Sequence, residues 1–175
     1  MQYGISKCHY SIFKNGAYTA PKALLGAVSM SLAPIITVKQ KSFLMGNTLV
    51  TGQKDDGYNI TLDIFSLSID FVCEVLGYTT ENGLLIENQN NKVVKFKLLY
   101  ETESMDKPIR HCIYNCTCQK PTFDVTTITE TVSINPKKLT IIADYGCGLH
   151  INKKQQIKVS TTVLTPIEVY DNWFR

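Results

Sequence analysis

Residues 92–124 read KVVKFKLLYETESMDKPIRHCIYNCTCQKPTFD and contain two alternating segments with a polar turn between them. Successive side chains of a β-strand point to opposite sides, so alternation assigns residues to faces. One face of the first segment carries Val94, Phe96, Leu98 and Tyr100. One face of the second segment carries Cys112, Tyr114, Cys116 and Cys118. The pattern predicts a long central hairpin, bounded by prolines, around which the other elements pack.

Length and composition favour one globular domain covering residues 1–175. Hydrophobic residues make up 44% of the chain, which is enough to bury a core without disulfides. No stretch approaches the ~18 apolar residues of a membrane helix, and the first residues lack a secretory core, so we expect a soluble chain that folds in a cytoplasm. A net charge of +3 with scattered lysines does not favour nucleic-acid recognition as the main function.

Alternating segments occur on both sides of the central hairpin. Residues 5–13 end at Asn15-Gly16, a pair typical of tight hairpin turns. Further strands are predicted at residues 26–32, 58–65, 84–87, 125–134, 138–144 and 158–163. Residues 66–76 instead show an apolar stripe at helical spacing, with Ser66 or Ser68 as N-cap and Gly77 after the C-terminus. We predict a mainly-β fold, a β-sandwich or flattened barrel with one flanking α-helix.

Residues 35–57 lack a sustained period but are rich in apolar side chains. The candidates for contacts between subunits are Phe43, Leu44, Met45, Leu49 and Val50. A solvated loop would not carry this many apolar groups, so one interpretation is an extended arm that becomes buried against another copy of the chain. The other is a hairpin that packs on its own domain.

No pattern of catalytic or ligand-binding residues is present. Cys112, Cys116 and Cys118, next to His111, have the spacing C-x3-C-x-C, and on a strand Cys112 and Cys118 would be too far apart to bind one zinc ion. Buried reduced thiols are the favoured interpretation. There is no nucleophile elbow, phosphate-binding loop or H-E-x-x-H, so we expect no enzyme, no metal and no cofactor.

Several short blocks occur in an order that resembles the phi13-type major tail proteins of long-tailed bacteriophages. They include Tyr3-Gly4, His9-Tyr10, GAVSMSL at 26–32, Gly57-Tyr58, Leu76-Gly77 and Asn82-Gly83. Two more are the most specific, IRHCIYNC at 109–116 and YDNWF at 170–174. The likeness runs from the first residues to the last, and it departs from the family around residues 144–152 and in the six cysteines.

The resemblance implies a phage tail-tube fold and the role of major tube subunit. Such a subunit assembles with itself into stacked, hexameric rings around a tape-measure protein, meets tail-tip and tail-terminator proteins, and lets phage DNA pass without reading its sequence. It implies assembly in the bacterial host cytoplasm, residence in the virion tail and no membrane partner. Trp173 and Phe174 are candidate anchors of the C-terminal tail. Two alternatives stay open: a tail-tip or carbohydrate-binding β-sandwich, and a barrel that binds single-stranded nucleic acid.

Overall fold

The computed structural model describes residues 2–42, 49–89, 91–122, 135–145, 150–151 and 154–175. The strands are β1 (Gln2–Lys14), β2 (Ala17–Tyr18), β3 (Lys22–Ala23), β4 (Ala27–Ser42), β5 (Leu49–Ile64), β6 (Thr79–Glu81), β7 (Leu84–Ile86), β8 (Phe96–Ser104), β9 (Ile109–Cys118), β10 (Lys137–Ala143), β11 (His150–Ile151), β12 (Lys154–Gln155) and β13 (Lys158–Ser160). The helices are α1 (Ile69–Val75) and α2 (Ile167–Asp171). Neither is long or apolar enough to cross a membrane.

The main sheet is antiparallel and has the order β2-β1-β8-β9-β10-β5-β4, with β3 also paired to β1 and β13 to β9. It curls around one hydrophobic core, so that β1 and β4 approach each other. Within the described ranges these two strands share no ladder, and the sheet is therefore not a closed barrel. The mainly-β prediction is confirmed, although a second short helix, α2, joins the predicted one.

The central hairpin is formed by β8 and β9, as predicted. Phe96, Leu98 and Tyr100 face the core. The prediction that Cys112, Tyr114, Cys116 and Cys118 share one face of β9 is wrong. Phe96 pairs with Cys116 but Leu98 pairs with Ile113, so β9 carries one residue more than β8 between these pairs. Asn115, with φ of 54°, lies in this bulge. The core side therefore holds Ile113, Cys116 and Cys118, while Cys112 lies on the opposite face.

Helix α1 begins at Ile69, three residues later than the start of the predicted segment. Ser68 is its N-cap, and the side-chain oxygen accepts a hydrogen bond from the Phe71 N–H at 3.2 Å. Gly77 has φ of 77°, the left-handed conformation expected after a helix. Phe71 contacts the rings of Tyr10 and Phe96 edge-on at 5.0 and 6.0 Å, so α1 fills the core at one end of the sheet.

Strand β4 corrects the prediction of a strand that covers only residues 26–32, followed by a segment without a sustained period at residues 35–57. The strand continues to Ser42 and pairs with β5 along its whole length. Proline is tolerated because β4 is an edge strand, and the N–H that proline lacks is not needed for a second ladder. The described parts of residues 35–57 are thus two strands of a long hairpin.

The register of the strands defines two ends of the molecule. Cys116 of β9 is level with Ala143 of β10, which is level with Tyr58 of β5. From that level, the outer part of the β4–β5 hairpin and the β8–β9 turn extend in the same direction, and we call this the turn end. The opposite end, which carries α1 and the β6–β7 hairpin, is called the helix end.

Candidate assembly surfaces

The outer part of the β4–β5 hairpin is a two-stranded ribbon. Seven residue pairs, from Ile36 with Asp55 to Ser42 with Leu49, extend beyond the neighbouring strand β10, which ends beside Tyr58. At ~3.3 Å per residue this ribbon is about 20 Å long. Ile36 and Val38 on it are 53% and 52% exposed. An isolated two-stranded ribbon is only marginally stable in water, so this one is suited to packing against another surface.

The base of the ribbon is fixed by specific contacts. The Gly57 N–H and the Tyr145 hydroxyl each donate to one oxygen of the Asp55 carboxylate, both at 3.0 Å. Gly57 has φ of 125°, and a Cβ there would collide with the carbonyl oxygen of Ala143. Asp56 accepts a hydrogen bond from Thr37 and forms an ion pair with Lys54. The ribbon therefore leaves the sheet in a defined direction.

The residues predicted for contacts between subunits are only partly described. Phe43, Leu44 and Met45 lie outside the described residues. Leu49 and Val50 begin β5 and pair with Ser42 and Lys41. The register places Leu49 and Val50 at the outer end of the ribbon. The role of all five residues stays a prediction.

The C-terminal tail covers the face of the central hairpin opposite the core. Tyr170 of α2 donates its hydroxyl hydrogen to the Pro108 carbonyl at 2.9 Å. The Trp173 indole N–H donates to the His111 carbonyl at 3.4 Å, and the Phe174 ring lies 4.8 Å from the His9 ring. Trp173 and Phe174 are both half-buried. These contacts are those an anchor would make, and the anchoring role stays a prediction.

A buried ion pair lies beneath this tail. Arg110 donates from Nε to the Glu101 carboxylate at 2.8 Å and from Nη1 to the Tyr170 carbonyl, and its guanidinium lies 3.7 Å from the Tyr170 ring centre. Glu101 is 4% exposed and also pairs with Lys7 at 2.8 Å. Burial acts to raise the pKa of Glu101, but hydrogen bonds from Lys7 and Arg110 outweigh it and hold that pKa below its usual value. The sequence pattern did not indicate this cluster.

His111 is the second buried polar centre, and it faces the core. It stacks on Tyr100 with ring centres 4.7 Å apart. Its Nε2 is 2.9 Å from the Thr102 hydroxyl, and its Nδ1 is 2.7 Å from the Ser160 hydroxyl. Burial, with a smaller contribution from Lys158, lowers the pKa of His111 to about 4. Both ring nitrogens thus have hydroxyl partners, and His111 joins β13 to the central hairpin.

The two blocks that carried the most specific part of the resemblance contact each other in space. IRHCIYNC begins β9 and contains Arg110 and His111, while YDNWF contains the tail residues that pack on them. Nothing in the spacing of the sequence indicates this, because about 60 residues separate the partners.

Large apolar side chains are exposed mainly at the two ends of the molecule. At the turn end these are Ile36, Val38, Met105, Val163, Leu164 and Ile167. At the helix end they are Leu25, Phe65, Ile69, Leu84, Leu85 and Val93. Contiguous exposed apolar surface commonly marks an interaction site. Both ends are therefore candidate assembly surfaces.

Comparison with known proteins identifies no family for this chain. No protein-family model matches the chain, and no curated protein matches it. Among solved structures, the chain is similar to the tube-terminating cap of the anti-feeding prophage, determined by cryo-electron microscopy, with 15% identity over 93% of this chain and 94% of the cap chain and a TM-score of 0.47. At that identity and TM-score the likeness supports no assignment of function.

Proposed function

We propose that this chain is the major subunit of a long-tailed phage tail tube, a structural protein that acts by assembling with itself. Six copies would form a ring, and rings would stack around a tape-measure protein into a conduit for phage DNA. Tail-tip and tail-terminator proteins would bound the stack, which would be built in the host cytoplasm and reside in the virion tail. The colinear blocks that resemble phi13-type major tail proteins led to this proposal.

The structural observation that carries the proposal is the long β4 edge with its protruding ribbon. Unpaired N–H and C=O groups along an edge strand recruit strands of other chains, and proteins that remain monomeric normally shorten or cover such edges. Here the edge belongs to a strand of 16 residues, and the ribbon beyond it exposes Ile36 and Val38. A ring of copies would cover the edges, and the next ring would cover the ribbon.

No observation favours the binding-module alternative. A carbohydrate site needs clustered exposed aromatic rings, and an oligonucleotide groove needs stacking aromatics among cations. Among the aromatic side chains that the structure describes, Phe65 and Tyr145 are the most exposed, at 48% and 37%. Phe65 lies at the helix end and Tyr145 contacts the base of the ribbon, so they form no common platform.

The proposal is tested by electron microscopy of the concentrated protein, together with light scattering. The wild type should form rings or tubes of uniform width, alone or with its tape-measure and tail-tip proteins. Replacing residues 38–53 by Asn-Gly would join the paired residues Thr37 and Lys54 through a tight turn and remove five of the seven residue pairs of the ribbon. The shortened chain should melt like the wild-type monomer and form no tubes.

Two results would contradict the proposal. One is a wild-type chain that stays monomeric when the tape-measure and tail-tip proteins are present. The other is a ribbon deletion that still polymerises. Loss of the cooperative melt in the deletion would place the ribbon in the core of its own domain, which is the rival interpretation of residues 35–57.

A further inference from the structure

A hydrogen-bonded turn at the turn end presents two apolar side chains to solvent. The Thr165 N–H donates to the Thr162 carbonyl at 3.1 Å, and the Thr162 N–H donates to the Thr165 hydroxyl at 2.8 Å. Between these residues, Val163 and Leu164 are 77% and 88% exposed. Residues 104 and 106–109, in and beside the β8–β9 turn, line a cleft together with residues 161–163. Met105 in the same turn is 83% exposed. We call Met105, Val163 and Leu164 the apolar knob.

An apolar cavity of ≈ 190 Å³ opens at the helix end. It lies between α1 and the β6–β7 hairpin, and its walls include Leu67, Val72, Leu76, Tyr78, Leu85 and Pro121. Leu85 is 48% exposed at its mouth. Aliphatic walls and one aromatic ring suit an aliphatic side chain better than a polar ligand. The cavity and the knob lie at opposite ends of the same chain.

Charges around the two features differ in sign. Glu103, Asp106 and Glu168 lie around the knob. Lys107 is the cation in the adjacent turn, and its ammonium group lies 3.4 Å from the Tyr170 ring centre. At the helix end are Lys92, Lys137 and Lys138, of which Lys137 lines the cavity itself. Four carboxylates of the described residues also lie there: Asp70 and Glu81, and also Glu74 and Glu87, which form ion pairs with Lys22 and Lys120. The complementarity is therefore a net effect that would favour one orientation of approach.

We infer that the apolar knob of one copy docks into the cavity of a second copy, which makes the 162–165 turn an axial contact between stacked subunits, in addition to the ribbon. This inference rests on the proposed function and identifies surfaces for it. The contact joins different surfaces of two identical chains, so it does not close into a dimer and repeats along an axis. It would bury Val163, Leu164 and Leu85 together, away from water.

Cross-linking within assembled tubes tests the contact. Cys73, which is not fully buried, and Cys147, which lies outside the described residues, are first replaced by serine. Leu164→Cys and Leu85→Cys are then combined in one chain and treated with a short bis-maleimide. We expect a ladder of covalent oligomers from tubes and none from dilute monomer. The matched control is Leu164→Cys with Leu25→Cys, since Leu25 is 76% exposed near the same end but does not line the cavity.

A second variant measures how much the apolar knob contributes to tube assembly. Leu164→Asp places a charge on a side chain that the monomer already exposes, so its melting should be unchanged. The concentration needed for tubes should rise about tenfold or more, because a central apolar anchor dominates an interface of this kind. Val169→Asp, on the exposed side of α2, should have a clearly smaller effect.

The possible outcomes separate the two proposals. If tubes form but the two thiol pairs cross-link equally, or not at all, the docking is wrong and the tube function stands. If Leu164→Asp assembles like the wild type, the docking is wrong as well. If the thiol introduced at position 85 cannot be alkylated in the monomer, the cavity is filled within its own chain, which also overturns the inference. If no ring or tube forms under any condition, the proposed function is wrong.

Discussion

The β8–β9 and β4–β5 hairpins are both long and antiparallel, but their surroundings differ. The first lies in the middle of the sheet, with the core on one face and the C-terminal tail on the other. The second begins at the sheet edge, and its outer part has no neighbouring strand among the described residues. The central hairpin thus has partners within the chain on both faces, whereas the β4–β5 hairpin has surface left for partners in other chains.

The largest contrast is expected from a matched pair of truncations. Leu98→Ala removes a completely buried side chain from the central hairpin and should lower the free energy of unfolding by about 3 kcal/mol. Val38→Ala on the ribbon should change it by less than about 0.5 kcal/mol, because Val38 is half exposed in the monomer. Urea unfolding of the monomer measures both. A ribbon truncation as costly as the core truncation would show that the two hairpins do not differ in this way.

Part of the pH dependence of stability should come from the titration of His111 in the central hairpin. Its pKa in the folded protein is about 4, below the ordinary value of 6.5, so between these values the unfolded chain binds more protons. Stability should therefore fall as pH drops from about 6.5 to about 4, by at most ~1.4 kcal/mol per pH unit, and this contribution should level off below 4. Denaturant titrations of the wild type and His111→Gln at several pH values isolate the contribution of His111 to the free energy of unfolding. Parallel pH profiles for the two proteins would show that His111 does not titrate in this way.

The ion pair between Arg110 and Glu101 under the tail should contribute somewhat less to the free energy of unfolding than the preceding effects. Arg110→Met leaves Glu101 buried with Lys7 as its remaining charged partner, so we expect a loss of about 2 kcal/mol. Removing both charges, in Arg110→Met with Glu101→Gln, should restore part of that loss, because no carboxylate is then left in the site. A double-mutant cycle by chemical denaturation gives the coupling between the two. Strict additivity would show that the pair contributes nothing of its own.

The sequence predicted what depends on neighbouring residues. The alternation in β8, the Ser68 cap and Gly77 after α1 were predicted from local patterns, and the structure confirms them. The sequence did not predict the bulge at Asn115, because a one-residue insertion in a ladder depends on the partner strand and not on the strand itself. It did not predict that β4 continues through Pro34, because only the order of strands makes β4 an edge.

The polar centres show the same division between local and distant information. Glu101, Arg110 and Lys7 occupy separate segments and become partners only when β1, β8 and β9 lie side by side. The sequence predicts Trp173 and Phe174 as anchors of the tail, but it does not indicate α2 or the contacts of α2 with Pro108 and Arg110. A carboxylate at an alternating position within a strand looks solvated until its neighbours are known.

The smallest expected effect is spectroscopic, and it compares the two surfaces directly. Trp173 is the only tryptophan, and its emission should lie at shorter wavelength in the folded monomer than in the unfolded chain, because the half-buried indole donates to the His111 carbonyl. In Trp173→Phe with Val38→Trp, the probe moves to the ribbon, where the monomer should emit like a solvated indole. Upon assembly the ribbon emission should shift to shorter wavelength, while that of Trp173 should hardly change. If instead the tail emission shifts and the ribbon emission does not, the surface left for other copies lies beneath the tail.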